Sequence, residues 1–151
     1  MIKIICVGKI KEKYFNDAIA EYIKRINKFT RVEIVELNDM NNGEPEKCIN
    51  SESLKIIEKI KPKDYVIALD INGKSYDSIE FSKLIKEKQE TYQNIVFIIG
   101  GSYGLSDKLK NSSHDRISFS KMTFPHQMFR VILLEQIYRT YKILNNEEYH
   151  K

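Results

Sequence analysis

Five short runs of apolar residues, most of them rich in isoleucine and valine, are spaced along the chain. Runs of this kind, bounded by turn-forming residues, are typical of buried β-strands. We therefore predict strands at Ile2–Val7, Val32–Leu37, Tyr65–Asp70, Ile95–Ile99 and Arg116–Ser120.

Between these runs, apolar residues recur at every third or fourth position, which is the repeat of an amphipathic helix. Asp77-Ser78-Ile79-Glu80 is a capping box, in which two side chains satisfy free backbone N–H groups at a helix start. Ser106 is a candidate N-cap. The predicted helices are Lys13–Phe29, a helix from Pro45 that Lys61-Pro62 ends, a helix that starts at the capping box, a short helix from Ser106 to Leu109, and Pro125–Leu144.

The alternation of strands with helices indicates the fold class. It predicts an α/β fold with a mainly parallel sheet and helices on both faces. A chain of 151 residues is the usual length of one domain, so we predict a single domain over residues 1–151. Turn-forming residues at 38–45 and 71–74 predict loops after the second and third strands.

Composition makes several classes of protein improbable. Hydrophobic residues make up 42% of the chain and charged residues 30%, as in ordinary globular proteins. No apolar run approaches the roughly 20 residues of a membrane span, and the first residues fit a strand better than a signal peptide. We therefore expect a cytoplasmic protein with no membrane partner. Cys6 and Cys48 lie far apart and share no ligand spacing with the three histidines, which predicts reduced thiols and no metal.

The net charge of +4 collects mainly near the C-terminus. Residues 116–151 contain six lysines and arginines against three aspartates and glutamates. This excess is compatible with an RNA or phosphate partner, although a mildly basic surface on any soluble protein has the same composition.

Three loops that follow predicted strands carry the candidate chemistry: residues 69–73, residues 100–104 and residues 118–125. Ligands of open α/β sheets bind outside the carboxyl ends of the strands, so these loops are expected to meet at one site. Residues 100–104, the glycine loop, read GGxxG after the fourth strand, which matches neither a dinucleotide-binding fingerprint nor a P-loop. Gly100 and Gly101 lack a Cβ, so a flat, partly apolar ligand can lie against their backbone.

The last predicted helix carries apolar side chains in every direction around its axis. Such a helix must be buried on all sides, and in a small domain a second copy of the chain can cover the face that the sheet leaves open. We therefore predict a homodimer. Glu135 and Arg139 lie four residues apart and are predicted to pair on this helix.

Polar candidates lie at the start of this helix and at the end of the chain. His126 is either a ligand contact or base, or a cap or surface residue, and the positive helix end lowers its proton affinity. Arg130 lies one turn further along and is a candidate for holding a phosphate. Tyr149 can stack on a base and Lys151 can hold a phosphate, although terminal residues are often frayed.

Four segments carry a resemblance to a known family: residues 98–106, 118–130, 135–139 and 149–151. They resemble, in that order, the glycine loop, the two parts of the C-terminal signature and the tail of the bacterial ribosomal RNA large-subunit methyltransferase H family, within the SPOUT superfamily. The resemblance extends over the whole chain, and the combination of motifs is more specific than GGxxG alone.

This resemblance implies a homodimer whose C-terminal segment forms a trefoil knot. It implies methylation of N3 of a pseudouridine in 23S ribosomal RNA on the assembled ribosome, with S-adenosylmethionine as the methyl donor and no metal. The residues implied in cofactor binding are Leu69, Gly100, Gly101, Ser120, Lys121, Met122, Thr123, Phe124 and Pro125. On the RNA side, Arg139, Tyr149 and His150 are expected in catalysis, and Arg130 and Lys151 in RNA binding.

Within this resemblance the tail has a particular role and two departures from the family. His150 is the first candidate to assist loss of the N3 proton, with solvent as the alternative acceptor, and the tail is expected to reach the site of the other subunit. Glu148 stands where the family commonly has a proline, and Asn145-Asn146 where a glycine is common. Asparagine tolerates the left-handed conformation, so the helix can still end there, but the tail is less rigid.

Two alternatives from other classes stand beside the methyltransferase. A non-catalytic α/β module that binds RNA or a nucleotide accounts for the basic C-terminal quarter but leaves residues 120–125 unexplained, and it would not bind S-adenosylmethionine. A flavodoxin-like flavin protein needs a phosphate loop after the first strand, for which residues 9–11 give little support.

Overall fold

A single five-stranded sheet forms the centre of the molecule in this computed structural model, which describes residues 1–151. The strands are β1 (Ile2–Val7), β2 (Val32–Leu37), β3 (Asp64–Ser75), β4 (Asn94–Ile99) and β5 (Asp115–Ser118). Their order across the sheet is β2-β1-β4-β3-β5, and every neighbouring pair is parallel. The predicted α/β fold with a parallel sheet is therefore confirmed.

Five helices cover the two faces of this sheet. They are α1 (Lys13–Ile26), α2 (Pro45–Ile57), α3 (Ser78–Thr91), α4 (Asp107–Ser112) and α5 (His126–Leu144). The larger apolar cluster joins α1, α3 and α5 to one face, and a smaller cluster joins α2 and α4 to the other. Because helices cover both faces, every residue of β1 and β4 is buried, which explains why all their residues except Lys3 and Asn94 are apolar.

The predicted helix starts are confirmed in detail, whereas three helix ends differ. The Asp77 side chain accepts from the Glu80 N–H at 2.7 Å and the Glu80 side chain accepts from the Asp77 N–H at 2.9 Å, which completes the capping box. Ser106 Oγ accepts from the Leu109 N–H at 3.2 Å. α1 ends three residues before the predicted Phe29, and α4 continues three residues beyond the predicted Leu109. α2 ends at Ile57, before the stop that was predicted at Lys61-Pro62.

The third strand differs most from the prediction, because it continues through the expected turn at 71–74 and ends at Ser75. Ile117 of β5 pairs with both Leu69 and Lys74, so residues 70–73 bulge out of the ladder. A Cβ on Gly73 would lie 2.6 Å from the backbone carbon of Arg116. In the sequence, Gly73 is typical of a turn. In the structure, glycine is required because the backbones of β3 and β5 approach closely at this position.

The last helix packs one side on the sheet and leaves its other side partly open. Leu133, Leu134, Ile137 and Tyr141 are buried, whereas Met128 is 40% exposed. None of the five helices combines the length and the apolar character that crossing a bilayer requires.

Candidate functional site

A cleft of about 410 Å³ lies where the bulge of β3 meets the loops after β4 and β5. The structure thus brings together the three loops that the sequence predicts to converge. Most of the residues that the family resemblance assigns to cofactor binding line this cleft: Leu69, Gly100, Gly101, Ser120, Met122, Thr123 and Phe124. Lys121 and Pro125, which were assigned to the same role, do not line it: Lys121 is exposed and Pro125 precedes the first residue of α5.

The glycine loop forms a tight turn at one side of the cleft. The Gly104 N–H donates to the Gly101 carbonyl at 3.0 Å, and Gly104 has a φ of +82°, a conformation that favours glycine. A Cβ on Gly100 would lie 2.8 Å from the backbone carbon of Gly104. The turn therefore depends on glycine, and it leaves backbone groups open towards the cleft.

Residues 118–125 form the opposite wall and are held by their own side chains. Ser118 Oγ donates to the Ser120 carbonyl at 3.0 Å, and Ser120 Oγ accepts from the Met122 N–H at 2.9 Å. Phe119 and Phe124 both pack on Phe129 of α5, with ring centroids 5.3 and 6.4 Å away. This wall presents aromatic faces next to backbone polar groups, a combination that suits a flat heterocycle.

An ion cluster at the rim of the cleft was missed by sequence reasoning. Asp70 lies 2.8 Å from Arg116 and 3.6 Å from Lys110. Burial alone would raise the pKa of Asp70, but hydrogen bonds from Arg116 and from the Asn72 backbone, together with Lys110, lower it below its ordinary value. No sequence signal connects residues 46 positions apart, because the pairing of β3 with β5 creates the contact.

His126 is the first residue of α5 and lines the cleft, so the ligand-side interpretation has a geometric basis. Its Nε2 lies 3.2 Å from the position that a Cβ of Gly8 would occupy. The pKa of His126 is lowered, first by burial and then by the neighbouring Arg130. The lowered pKa agrees with the prediction in direction, but its main cause is burial and not the positive end of the helix. The imidazole is therefore neutral at pH 7.

Arg130 requires a correction, because its guanidinium is buried rather than open to RNA. The residue is 1% exposed. Nη1 donates to Glu36 Oε2 at 2.6 Å and Nη2 to the Gly8 carbonyl at 2.5 Å. A phosphate cannot reach a guanidinium that is enclosed in this way. Arg130 instead fastens the second turn of α5 to the ends of β1 and β2, which the apolar sequence of this helix did not reveal.

The C-terminal tail folds back on α5 and brings the three predicted catalytic residues together. The Tyr149 hydroxyl donates to Glu135 Oε1 at 3.1 Å, and the Arg139 guanidinium lies 4.7 Å from the Tyr149 ring centroid. Arg139 Nη1 lies 3.3 Å from His150 Nδ1. Burial and Glu135 raise the pKa of Tyr149 to about 12, so its hydroxyl remains protonated.

The pairing of Glu135 with Arg139 is confirmed, at 2.6 Å between Oε1 and Nη2. His150 lines a second cavity of about 470 Å³, which shares Ile117, Phe119 and Phe124 with the cleft. The end of the tail therefore lies behind the aromatic wall of the cleft, and both His150 and Lys151 are exposed there. No group of three or more His, Cys, Asp and Glu side chains is arranged to hold a metal ion.

Comparison with known proteins extends these observations to a family. A family model described as "Predicted SPOUT methyltransferase" matches residues 1–150. The chain is 50% identical over 157 residues to "Ribosomal RNA large subunit methyltransferase H" of Streptococcus uberis, with 99% of each chain covered. It is 51% identical over 157 residues to the protein of that name from Clostridium novyi, again with 99% of each covered.

Among solved structures, the chain is similar to "a probable methylase family protein" from Haemophilus influenzae Rd KW20. The TM-score is 0.56 at 12% sequence identity, over 99% of this chain and 70% of the other. A likeness at that identity concerns the fold alone.

Proposed function

The chain belongs to the SPOUT methyltransferase family, and from that premise we propose that it methylates N3 of a pseudouridine in 23S ribosomal RNA on the assembled ribosome. The relatives named as ribosomal RNA large subunit methyltransferases support the RNA substrate. The observation that carries the proposal is the cleft, because loops from three strands bring seven of the nine cofactor-assigned residues to one place.

The residues of this cleft fit S-adenosylmethionine, which we propose as the methyl donor. Its volume of about 410 Å³ is in the ordinary range for small-molecule sites. Leu69, Leu105 and Phe124 offer apolar surfaces for an adenine ring, and the glycine loop offers backbone groups without an intervening Cβ. When bound, S-adenosylmethionine supplies a methyl group that its sulfonium already activates. The work left to the protein is to bind, align and exclude water.

The tail is proposed to serve the RNA side of the reaction. Arginine is only a donor, so the contact with Arg139 makes Nδ1 of His150 an acceptor, and the neutral imidazole then carries its proton on Nε2. In that arrangement Nε2 cannot accept the N3 proton of a uracil ring. We therefore propose that the tail leaves Arg139 in the active complex, which frees His150 to accept the proton and Lys151 to contact a phosphate.

A homodimer with a C-terminal knot, formed by one domain per chain, belongs to the same proposal. The incompletely buried side of α5, including the exposed Met128, is compatible with a second copy packed there. A tail that leaves its own α5 can then reach the cleft of the partner. The knot follows from membership of the SPOUT family rather than from any contact described above.

The test of this function compares ribosomal RNA from cells with and without the gene. We expect mass spectrometry to detect loss of one methylpseudouridine from 23S RNA in a deletion strain and its return when the wild-type gene is restored. Purified protein should also bind S-adenosylmethionine in calorimetry and methylate whole ribosomes better than free RNA. Unchanged modification in the deletion strain would exclude the proposed activity.

A further inference from the structure

A buried acidic residue next to the cleft has no part in the function proposed so far. Glu52 lies on α2, is 4% exposed and does not line the cleft. Its Oε2 nevertheless lies 3.1 Å from the position that a Cβ of Gly101 would take. The carboxylate therefore lies beside the glycine loop, in the space that a side chain at Gly101 would enter.

The two oxygens of Glu52 are in different situations. Oε1 accepts from the Met40 N–H at 2.9 Å and so holds the loop that follows β2. Oε2 is buried and has no hydrogen-bond partner, and no lysine or arginine forms an ion pair with the residue. A buried polar atom without a partner is costly and uncommon, so its presence calls for a partner in another state of the protein.

Suitable donors lie in the adjacent segment. Outside helices and strands, the only backbone hydrogen bond donated by the glycine loop is the one from Gly104 N–H to the Gly101 carbonyl. Gly101 is bridged to Gly104, so the backbone N–H groups without a protein acceptor are those of residues 102 and 103, close in sequence to the glycine that lies beside Oε2. A change in the loop conformation is needed to join them to Oε2.

We propose that Glu52 is a positioning residue that holds the glycine loop in its ligand-binding conformation. It joins the loop after β2, through Met40, to the glycine loop, whose backbone N–H groups at 102 and 103 donate to Oε2 in the ligand-binding conformation, which the free protein already adopts in solution. The identity of the occupant, an S-adenosyl compound, rests on the proposed function. A Cβ at Gly101 would also lie 3.0 Å from Val7 Cγ1, so only glycine leaves room for this contact.

The first experiment needs no ligand. Amide hydrogen exchange, measured by NMR, is compared between the wild type, Glu52→Ala and the control Glu58→Ala, an exposed glutamate just after the same helix. We expect exchange at Met40 and at residues 102 and 103 to be about tenfold faster in Glu52→Ala and unchanged in the control. Faster exchange at Met40 alone would overturn the link between the two loops.

The second experiment uses Glu52→Gln, which removes only one of the two interactions. Its carbonyl can still accept from Met40, but its NH₂ group then faces the glycine loop, where an acceptor is needed. Calorimetry is performed with S-adenosylmethionine, S-adenosylhomocysteine and methylthioadenosine. We expect affinity for all three to fall about tenfold, by a similar factor each.

Two results in that series would overturn the proposal. Unchanged affinity for all three compounds would mean that Glu52 has no role at the loop. A loss confined to the two compounds that carry an amino-acid group would mean that Oε2 pairs with the ligand ammonium instead of the loop backbone. If the wild-type protein bound none of them, the proposed function would fail, and the ligand-free exchange would still decide the role of Glu52.

Discussion

Arg130 shows how a single side chain can connect three elements at the edge of a functional cleft. Its guanidinium reaches from the second turn of α5 to Glu36 on β2 and to the Gly8 carbonyl after β1. Because it is 1% exposed, the cost of burying its charge is offset only while both partners remain. The residue that the sequence suggests for RNA contact is therefore a structural anchor for the wall of the cleft.

Replacing Arg130 by alanine should lower the free energy of unfolding by about 3 kcal/mol, because it leaves Glu36 and Gly8 without their partner. Arg130→Lys should lose less, since an ammonium keeps the charge but cannot form both bonds. Urea denaturation measures both variants. Lys121→Ala, which removes an exposed cation, is the control and should change stability by less than about 0.5 kcal/mol. Full stability of Arg130→Ala would contradict the anchoring role.

The lowered pKa of His126 leads us to predict that the free energy of unfolding falls as the pH falls. Arg130 on α5, Asp39 after β2 and Lys11 after β1 act on its pKa, which burial and Arg130 lower in the folded state. As the pH falls through the unfolded pKa of about 6.5, the unfolded chain takes up a proton that the folded protein resists, so stability declines towards acid.

This dependence can be isolated by substitution. Between about pH 7.5 and about pH 5.5, the wild type should lose more unfolding free energy than His126→Gln, which has no imidazole to protonate. Denaturant titrations at a series of pH values measure the difference. Parallel curves for the two proteins would show that the environment of His126 does not disfavour its protonation.

The position of His150 leads us to predict that its replacement affects turnover but not the affinity for the cofactor. It lies behind the aromatic wall of the cleft and does not line the cleft itself. His150→Ala should therefore reduce turnover on ribosomes by about 10²–10⁴-fold, as expected for loss of a general base, while the affinity for S-adenosylmethionine changes little. Single-turnover methylation and calorimetry measure the two quantities. Equal losses in both would contradict its assignment to the RNA side.

At the scale of elements, the extension of β3 is the feature that shapes the site. Residues 70–73 leave the ladder next to β5 and bring Asp70 to the rim of the cleft, where Arg116 and Lys110 meet it. The bulge depends on Gly73, because a Cβ there would meet the backbone of Arg116, which cannot move aside as a side chain would.

Gly73→Ala should accordingly destabilise the protein by about 1–3 kcal/mol, the range for added atoms in a packed region, and weaken S-adenosylmethionine binding at the same time. Thermal unfolding and calorimetry test the two effects. Lys74→Ala, at the neighbouring exposed position outside the cleft lining, is the control and should affect neither strongly. A fully stable Gly73→Ala protein would mean that the two backbones can separate at little cost.

At the scale of the whole molecule, the proposed dimer and the proposed movement of the tail make one joint prediction. His150→Ala leaves the cleft intact but removes the tail imidazole. Gly100→Ala leaves the tail intact but disturbs the cleft, because its Cβ would lie 2.8 Å from the backbone carbon of Gly104. Each variant alone should be nearly inactive as a homodimer.

Heterodimers of these two variants, purified through two different tags, should regain about half of the wild-type turnover if the tail acts on the partner subunit. In such a dimer one intact tail faces one intact cleft. If each tail served its own chain, no complete site would exist and the heterodimer would be as inactive as its parents. A monomer in sedimentation experiments on the wild type would exclude the arrangement altogether.

The sequence by itself determined the elements of this protein. Apolar runs and helical repeats are local properties, so the five strands, the helix starts and the parallel α/β class could be predicted from them. The capping box at Asp77 is a clear case, because every atom that forms it lies within four residues. The meeting of three loops at one edge followed from the same reasoning, since the carboxyl ends of parallel strands lie together.

Only the tertiary structure decided which side chains are free and which are engaged. Arg130 and Asp70 find their partners 94 and 46 residues away, and Glu52 meets a loop nearly 50 residues further along the chain. Local sequence carries no information about these distances, because a cation looks the same whether its partner is a phosphate or a buried carboxylate. Burial determines which of these partners it meets, and burial is a property of the packed molecule.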